Sequence, residues 1–160
     1  MKTEARFKKY GLTPGNTPAG LGIFAGREFL KKELLFKFEG KLCDASTGTF
    51  SSNSLQISKN YFIEPHPHNP GRYINHSCDP NSGIKNRNNI VAMKTIRSGE
   101  EITLDYAIAI YNDKSPGFWR ECGATNCRGF ISGPTNRKIL PALISKCGEF
   151  IPEYMRNKFQ

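Results

Sequence analysis

No stretch of the 160-residue chain approaches the roughly 18 consecutive apolar residues that a membrane-spanning helix needs. The first residues, Met1 to Tyr10, carry charge without the apolar run of a secretory signal. The expectation is therefore a soluble, unexported, intracellular protein with no membrane partner. Acidic residues are also scarce: 14 Asp and Glu stand against 23 Lys and Arg, a formal net charge of +9. That balance argues against an acidic disordered segment and favours a polyanionic partner, yet names no function. Repeats, low-complexity tracts and long linkers are missing too. With 38% apolar and 11% aromatic residues, the chain suits one domain around one core.

What is present is Gly, Pro, Asn and Ser, which implies short strands joined by many turns. Arg6 to Tyr10 reads as a short strand, Gly11 to Gly20 as a Gly/Pro loop, and Gly22 to Ala25 as a second strand. Glu33 to Leu42 alternates partly, as one half-buried strand would, and Asp44 to Asn53 is loop-like. Ser54 to Ser58 and Tyr61 to Glu64 pair about a Lys59-Asn60 turn, while Asn89 to Thr95 and Glu101 to Asp105 are further strands. Pro141 to Cys147, with Gly148 beyond it, and Pro152 to Phe159 are predicted helices that begin at proline. The expected architecture is mainly β with a short helical tail.

The five cysteines (Cys43, Cys78, Cys122, Cys127 and Cys147) are odd in number and lack an export signal, so thiols or metal ligands fit better than a disulfide framework. The charge is uneven along the chain. Residues 1–41 sum to +5, 42–106 to zero and 107–160 to +4. Arg72-Tyr-Ile-Asn-His-Ser-Cys-Asp-Pro-Asn81 stands out for its donors and acceptors without regular periodicity, and such a segment needs polar partners. Asn75 and His76 alone are compatible with a self-satisfied core network, and Asp105-Tyr106 alone with a turn cap and a core phenol.

Taken in order, Ala19-Gly-Leu-Gly-Ile-Phe-Ala25, Arg72 to Asn81, Gly99 to Tyr106 and Cys122-Gly-Ala-Thr-Asn-Cys-Arg-Gly-Phe130 resemble the motifs of SET-domain protein-lysine methyltransferases. The resemblance runs from about residue 4 to residue 134, with Tyr73 and Ile102 as mild departures. It implies a SET domain over 4–107, a post-SET-like segment over 108–134 and a helical tail over 135–160. The implied fold is several small β-sheets around a pseudoknot-like core, with short C-terminal helices. The implied activity is methyl transfer from S-adenosylmethionine to the ε-amine of a lysine in a histone or other basic protein. An inactive SET-fold module that binds chromatin or nucleic acid is the alternative.

The same resemblance assigns roles. Gly20, Leu21 and Gly22 offer main chain to the methionine part of the cofactor, Asn75 meets its amino group, and His76 uses its main chain towards adenine. Arg72 either lies near the cofactor carboxylate or supports the loop, and Tyr61 and Phe130 are candidates for flanking the cofactor. Tyr106 aligns with the catalytic tyrosine. Leu104 stands where a Phe or Tyr usually limits product degree, which suggests more than monomethylation. Cys78, Cys122 and Cys127 match three ligands of a zinc site whose fourth position is Arg120, and an arginine cannot close such a site. Either Glu121 or water completes it, or the three are packed thiols and the segment closes over the cofactor through apolar contacts around Phe118, Trp119 and Phe130. Cys43 and Cys147 are expected as buried thiols, and His66 and His68 as solvated. The neutral segment suits a basic substrate tail, and the basic flanks, with Lys8, Lys9, Arg137 and Lys138, suit nucleic acid or another acidic surface.

Overall fold

Backbone pairing divides the strands among four small sheets. A computed structural model describes residues 7–48, 51–110, 117–131 and 133–156. Strands β1 (Leu12–Thr17) and β2 (Gly20–Ala25) form an antiparallel hairpin, with Thr17 opposite Gly20. The predicted loop from Gly11 to Gly20 is thus largely a strand. A two-stranded ribbon tolerates Pro14, because its missing N–H costs little at an edge. Gly15 is required there: a Cβ would sit 2.6 Å from the Phe24 ring. The predicted strand before it is also different. Phe7 to Gly11 is a helical turn in which the Tyr10 and Gly11 N–H groups donate to the Phe7 and Lys8 carbonyls, and Phe7 is the buried anchor. Arg6 lies outside the described residues.

The single strand expected over 33–42 breaks in two. β3 (Leu34–Lys37) joins the largest sheet and β4 (Gly40–Asp44) joins another. Gly40 makes the crossing possible, since a Cβ there would lie 1.8 Å from the Glu64 carbonyl oxygen. β4 pairs with β6 (Tyr61–Pro65), which pairs with β5 (Leu55–Gln56), so the hairpin expected around Lys59-Asn60 forms and gains a third strand.

The five-stranded sheet has the order β3-β9-β8-β10-β7. It contains β7 (Asn75–His76), β8 (Ser82–Lys85), β9 (Asn89–Ala92) and β10 (Thr103–Leu104). β10 runs parallel to both neighbours and is inserted between β8 and β7. This insertion sets the segment ending in Asp105-Tyr106 directly beside Asn75-His76. Three hydrogen bonds made by two buried side chains, Asn81 and Ser82, fix it. Asn81 Nδ2 donates to the Glu101 carbonyl at 2.7 Å, the Thr103 N–H donates to Asn81 Oδ1 at 2.9 Å, and Ser82 Oγ donates to the Thr103 carbonyl at 2.7 Å. Beneath lie Phe29, Phe36, Ile84, Ile90, Ile96 and Ile102, all buried.

After the short helix α1 (Tyr106–Ala109), β11 (Phe118–Arg120) and β12 (Gly129–Ile131) form a ribbon. Helix α2 spans Gly133–Cys147 and α3 spans Glu153–Arg156. Pro141 lies inside α2 and not at its start, where it deletes one backbone hydrogen bond. Gly148, at φ 54°, ends the helix as expected. Residues 157–160, which include the last three of the predicted Pro152 to Phe159 helix, lie outside the described residues. Among the described residues, no helix is long and apolar enough to cross a membrane.

Candidate active site

The glycine hairpin, the Asn75-His76 strand, the Asp105-Tyr106 turn and the C-terminal ribbon meet at one place. Gly22 on β2 leaves room for its neighbours: a Cβ would come within 2.7 Å of Glu101 Oε1 and 3.0 Å of Asn75 Nδ2. Asn75 is buried, and its Nδ2 donates to Glu101 Oε1 at 2.8 Å and lies 3.5 Å from the Leu21 carbonyl. Its Oδ1 faces the Arg120 guanidinium at 3.5 Å. Charges of opposite sign thus flank the Asn75 amide beside the main chain of the glycine hairpin. An amino-acid head group carries both charges, so the residues present suit S-adenosylmethionine.

His76 is buried, and burial lowers its pKa to about 4 against the opposing pull of Asp105, so the ring is neutral near pH 7. Nδ1 accepts from the Tyr106 N–H at 3.2 Å, which puts the ring proton on Nε2, 3.2 Å from Cys78 Sγ. Asp105 is fully buried, caps α1 through the Ala107 N–H and receives both Arg128 nitrogens at 2.9 and 2.5 Å. These contacts aim the Tyr106 ring. Its hydroxyl donates to the Ile74 carbonyl at 2.7 Å, and its ring lies 6.1 Å, edge-on, from Phe118. Burial raises the phenol's pKa, so it stays protonated. Tyr106 also lines an apolar cleft with Phe38, Leu55, Ile74, Leu104 and Ile110.

Not every residue singled out from the sequence reaches this centre. Gly22, Leu21, Asn75, His76, Leu104 and Tyr106 do, and Gly20 sits at the hairpin turn with φ 107°. Arg72 is exposed, and its charge acts on Glu64. Tyr61 lies on the three-stranded sheet opposite Asp44 and is 44% exposed. Phe130 pairs with Trp119 at 5.2 Å. On a strand, Phe118 and Arg120 share one face and Trp119 takes the other. Thus the ribbon presents Phe118 and Arg120 to the site, whereas Trp119 is 79% exposed and covers nothing there. Glu101 and Arg128 were missed as site residues, and of the aromatic residues expected to close over the cofactor Phe118 is the one that packs on Tyr106. The partners of Glu101 and Arg128, Asn75 and Asp105, lie 26 and 23 residues away in the chain, so no local pattern signals them.

His76, Cys78 and Cys122 bring ligand atoms within 4.8 Å of one another, and Cys127 Sγ accepts from the Cys122 N–H at 3.4 Å. This gathering suits a metal only in part. The proton on Nε2 opposes ligation through that nitrogen, residue 120 offers no donor, and burial pushes the Cys78 thiol up to about 11. Without Nε2 the set supplies three sulfurs, short of a closed structural zinc site. Cys43 and Cys147 are buried thiols, and His66 and His68 are exposed, all as expected.

A family model described as the SET domain matches residues 20–107, more than half of the chain. The chain belongs to the SET-domain family. It is 29% identical over 136 residues to an H3 lysine-36 specific histone-lysine N-methyltransferase of Chaetomium globosum, covering 72% of this chain and 15% of that protein. It is 31% identical over 140 residues to histone-lysine N-methyltransferase mes-4 of Caenorhabditis elegans, covering 69% of this chain and 15% of the relative. This SET-domain chain therefore spans about a sixth of the length of these relatives. A crystal structure of KRYPTONITE in complex with mCHG DNA and SAH shares the fold, with TM-score 0.63, 19% identity and coverage of 76% of this chain and 29% of that one. The matched SET region contains β2, the Asn75-His76 strand and the Asp105-Tyr106 turn of the site, but not the ribbon.

Proposed function

We propose that this chain is a protein-lysine methyltransferase that uses S-adenosylmethionine. The observation that carries the reading is the position of Tyr106, between the charged groups that flank Asn75 and the apolar cleft lined by Leu104. When bound, the cofactor supplies a methyl group on a sulfonium, and the reaction is an in-line displacement by a neutral amine. A free lysine has a pKa of about 10.4, so the site must disfavour its ammonium form. The apolar walls of the cleft, Phe38, Leu55 and Ile74, do so by desolvation, and no strong base is required. The Tyr106 hydroxyl and the Ile74 carbonyl are placed to orient the amine, which lowers the barrier through alignment.

The division into a SET domain over 4–107, a post-SET-like segment over 108–134 and a tail over 135–160 belongs to this reading, as do the cofactor contacts of Gly20, Leu21, Gly22, Asn75 and His76. Leu104 has no hydroxyl to hold a water, which favours products beyond monomethyl-lysine. The histone-directed relatives support a histone or other basic protein as substrate and, in a eukaryotic host, a chromatin location. The basic flanks would then face nucleic acid, and Lys8, Lys9 and Lys138 are exposed and free to do so.

Calorimetry with S-adenosylmethionine, followed by mass spectrometry of histones and of a lysate treated with the enzyme and labelled cofactor, tests the proposal. Stoichiometric binding with methylated lysine supports it. Nucleic-acid binding without methyl transfer would instead identify an inactive chromatin module.

A further inference from the structure

We propose that Arg120, the residue standing in place of a zinc-ligand cysteine, binds the α-carboxylate of S-adenosylmethionine and so makes the C-terminal ribbon part of the cofactor site. This inference rests on the methyltransferase reading above. Four observations carry it. The strand alternation of β11 turns Arg120 to the same face as Phe118, and Phe118 packs on Tyr106. The guanidinium reaches Asn75 Oδ1 at 3.5 Å and, among the described residues, forms no ion pair with a carboxylate. Glu101 stands at the opposite end of the same amide, on Nδ2 at 2.8 Å. Finally, the missing Cβ of Gly22 is what lets Glu101 Oε1 and Asn75 Nδ2 sit against the hairpin.

An unpaired guanidinium beside a buried amide attracts an anion, and Glu101 with the Leu21 carbonyl attracts a cation. An α-amino acid carries both charges on one carbon. Asn75 would hold the two halves in register, because its amide already touches the acid on one side and the base on the other. Arg72, the other candidate for the carboxylate, is exposed and acts on Glu64. The position thus exchanges a metal ligand for a ligand of the cofactor.

The test compares three ligands by calorimetry: S-adenosylmethionine, its decarboxylated analogue and 5′-deoxy-5′-methylthioadenosine, which lacks the amino-acid part. A charge-assisted contact predicts that the wild-type chain binds S-adenosylmethionine about 10- to 100-fold more tightly than the decarboxylated analogue. Arg120→Met is expected to abolish that preference while leaving methylthioadenosine binding unchanged, which also shows that the variant is folded. Arg120→Lys should restore part of it. Equal wild-type affinity for the two amino-bearing ligands, or an equal loss for all three ligands in Arg120→Met, overturns the role of Arg120 and leaves the methyltransferase reading intact. Failure of the wild-type chain to bind S-adenosylmethionine overturns both.

Discussion

The two halves of the site are held by different forces. On the five-stranded sheet, Asn81 and Ser82 lock β10 in place with short, neutral, buried hydrogen bonds to main chain. On the ribbon side, each contact has a charged donor: Arg128 and Lys146 form ion pairs with Asp105 and Asp79, while Arg120 meets the Asn75 amide and Lys146 also the Cys78 carbonyl. Neutral buried bonds shape a site that is formed before any ligand arrives. Ionic docking of a small ribbon instead makes its hold depend on the completeness of each charge pair.

Removing one partner of the buried ion pair strains that difference most. Arg128→Met leaves Asp105 charged and fully buried, and a loss of about 3 kcal/mol in urea unfolding is expected. The double variant Arg128→Met with Asp105→Asn should lose less than the single one. If Arg128→Met unfolds at the wild-type midpoint, the ribbon is not held by charge. Tyr106→Phe is expected to keep cofactor affinity and lower methyl transfer by about 100-fold, since one aligned hydroxyl is deleted from the pocket. Full activity in that variant removes the role. Asn81→Ala strips two main-chain groups of their partner at once, and a cost of about 2 kcal/mol is expected.

Chelation is expected to leave the melting temperature unchanged, because three thiols with a protonated His76 Nε2 do not form a closed zinc site. One zinc per chain by elemental analysis, lost together with stability, would show that the ribbon is metal-docked after all. The smallest effect concerns Glu149, whose pKa is lowered to about 2 by hydrogen bonds from Lys85 and Lys32. A carboxylate lowered in the folded state stabilises above its ordinary pKa, near 4.5, and loses that contribution as pH falls through about 2. Glu149→Gln should therefore shift the melting point slightly at pH 7, less in high salt, and not at all near pH 1.

The contrast between the halves also marks what could be read in the chain. Asn75, His76, Tyr106 and the Gly20-Leu21-Gly22 turn were legible because their chemistry is packed into short contiguous motifs. Arg120 was legible only as a missing cysteine. Its meaning depends on Asn75, 45 residues earlier in the chain, and no local pattern reports that distance. Glu101 is similarly legible only as one acid of the neutral segment over 42–106, although its carboxylate is bonded to Asn75. The strand misreadings have the same origin. Pro14 and Gly15 signal a loop locally, and only the pairing with Ile23 and Gly22 and the ring of Phe24 give them a strand's work.

The sequence by itself determined the family, the mainly β character and the residues with reactive or ligand-holding groups, because these follow from composition and from neighbours a few positions apart. The tertiary structure alone decided which charges face one another, where the strand over 33–42 divides, and that Phe118 and Arg120 point inward while Trp119 points out. Those outcomes depend on distances between residues remote in the chain, and burial then sets how strongly each charge is felt.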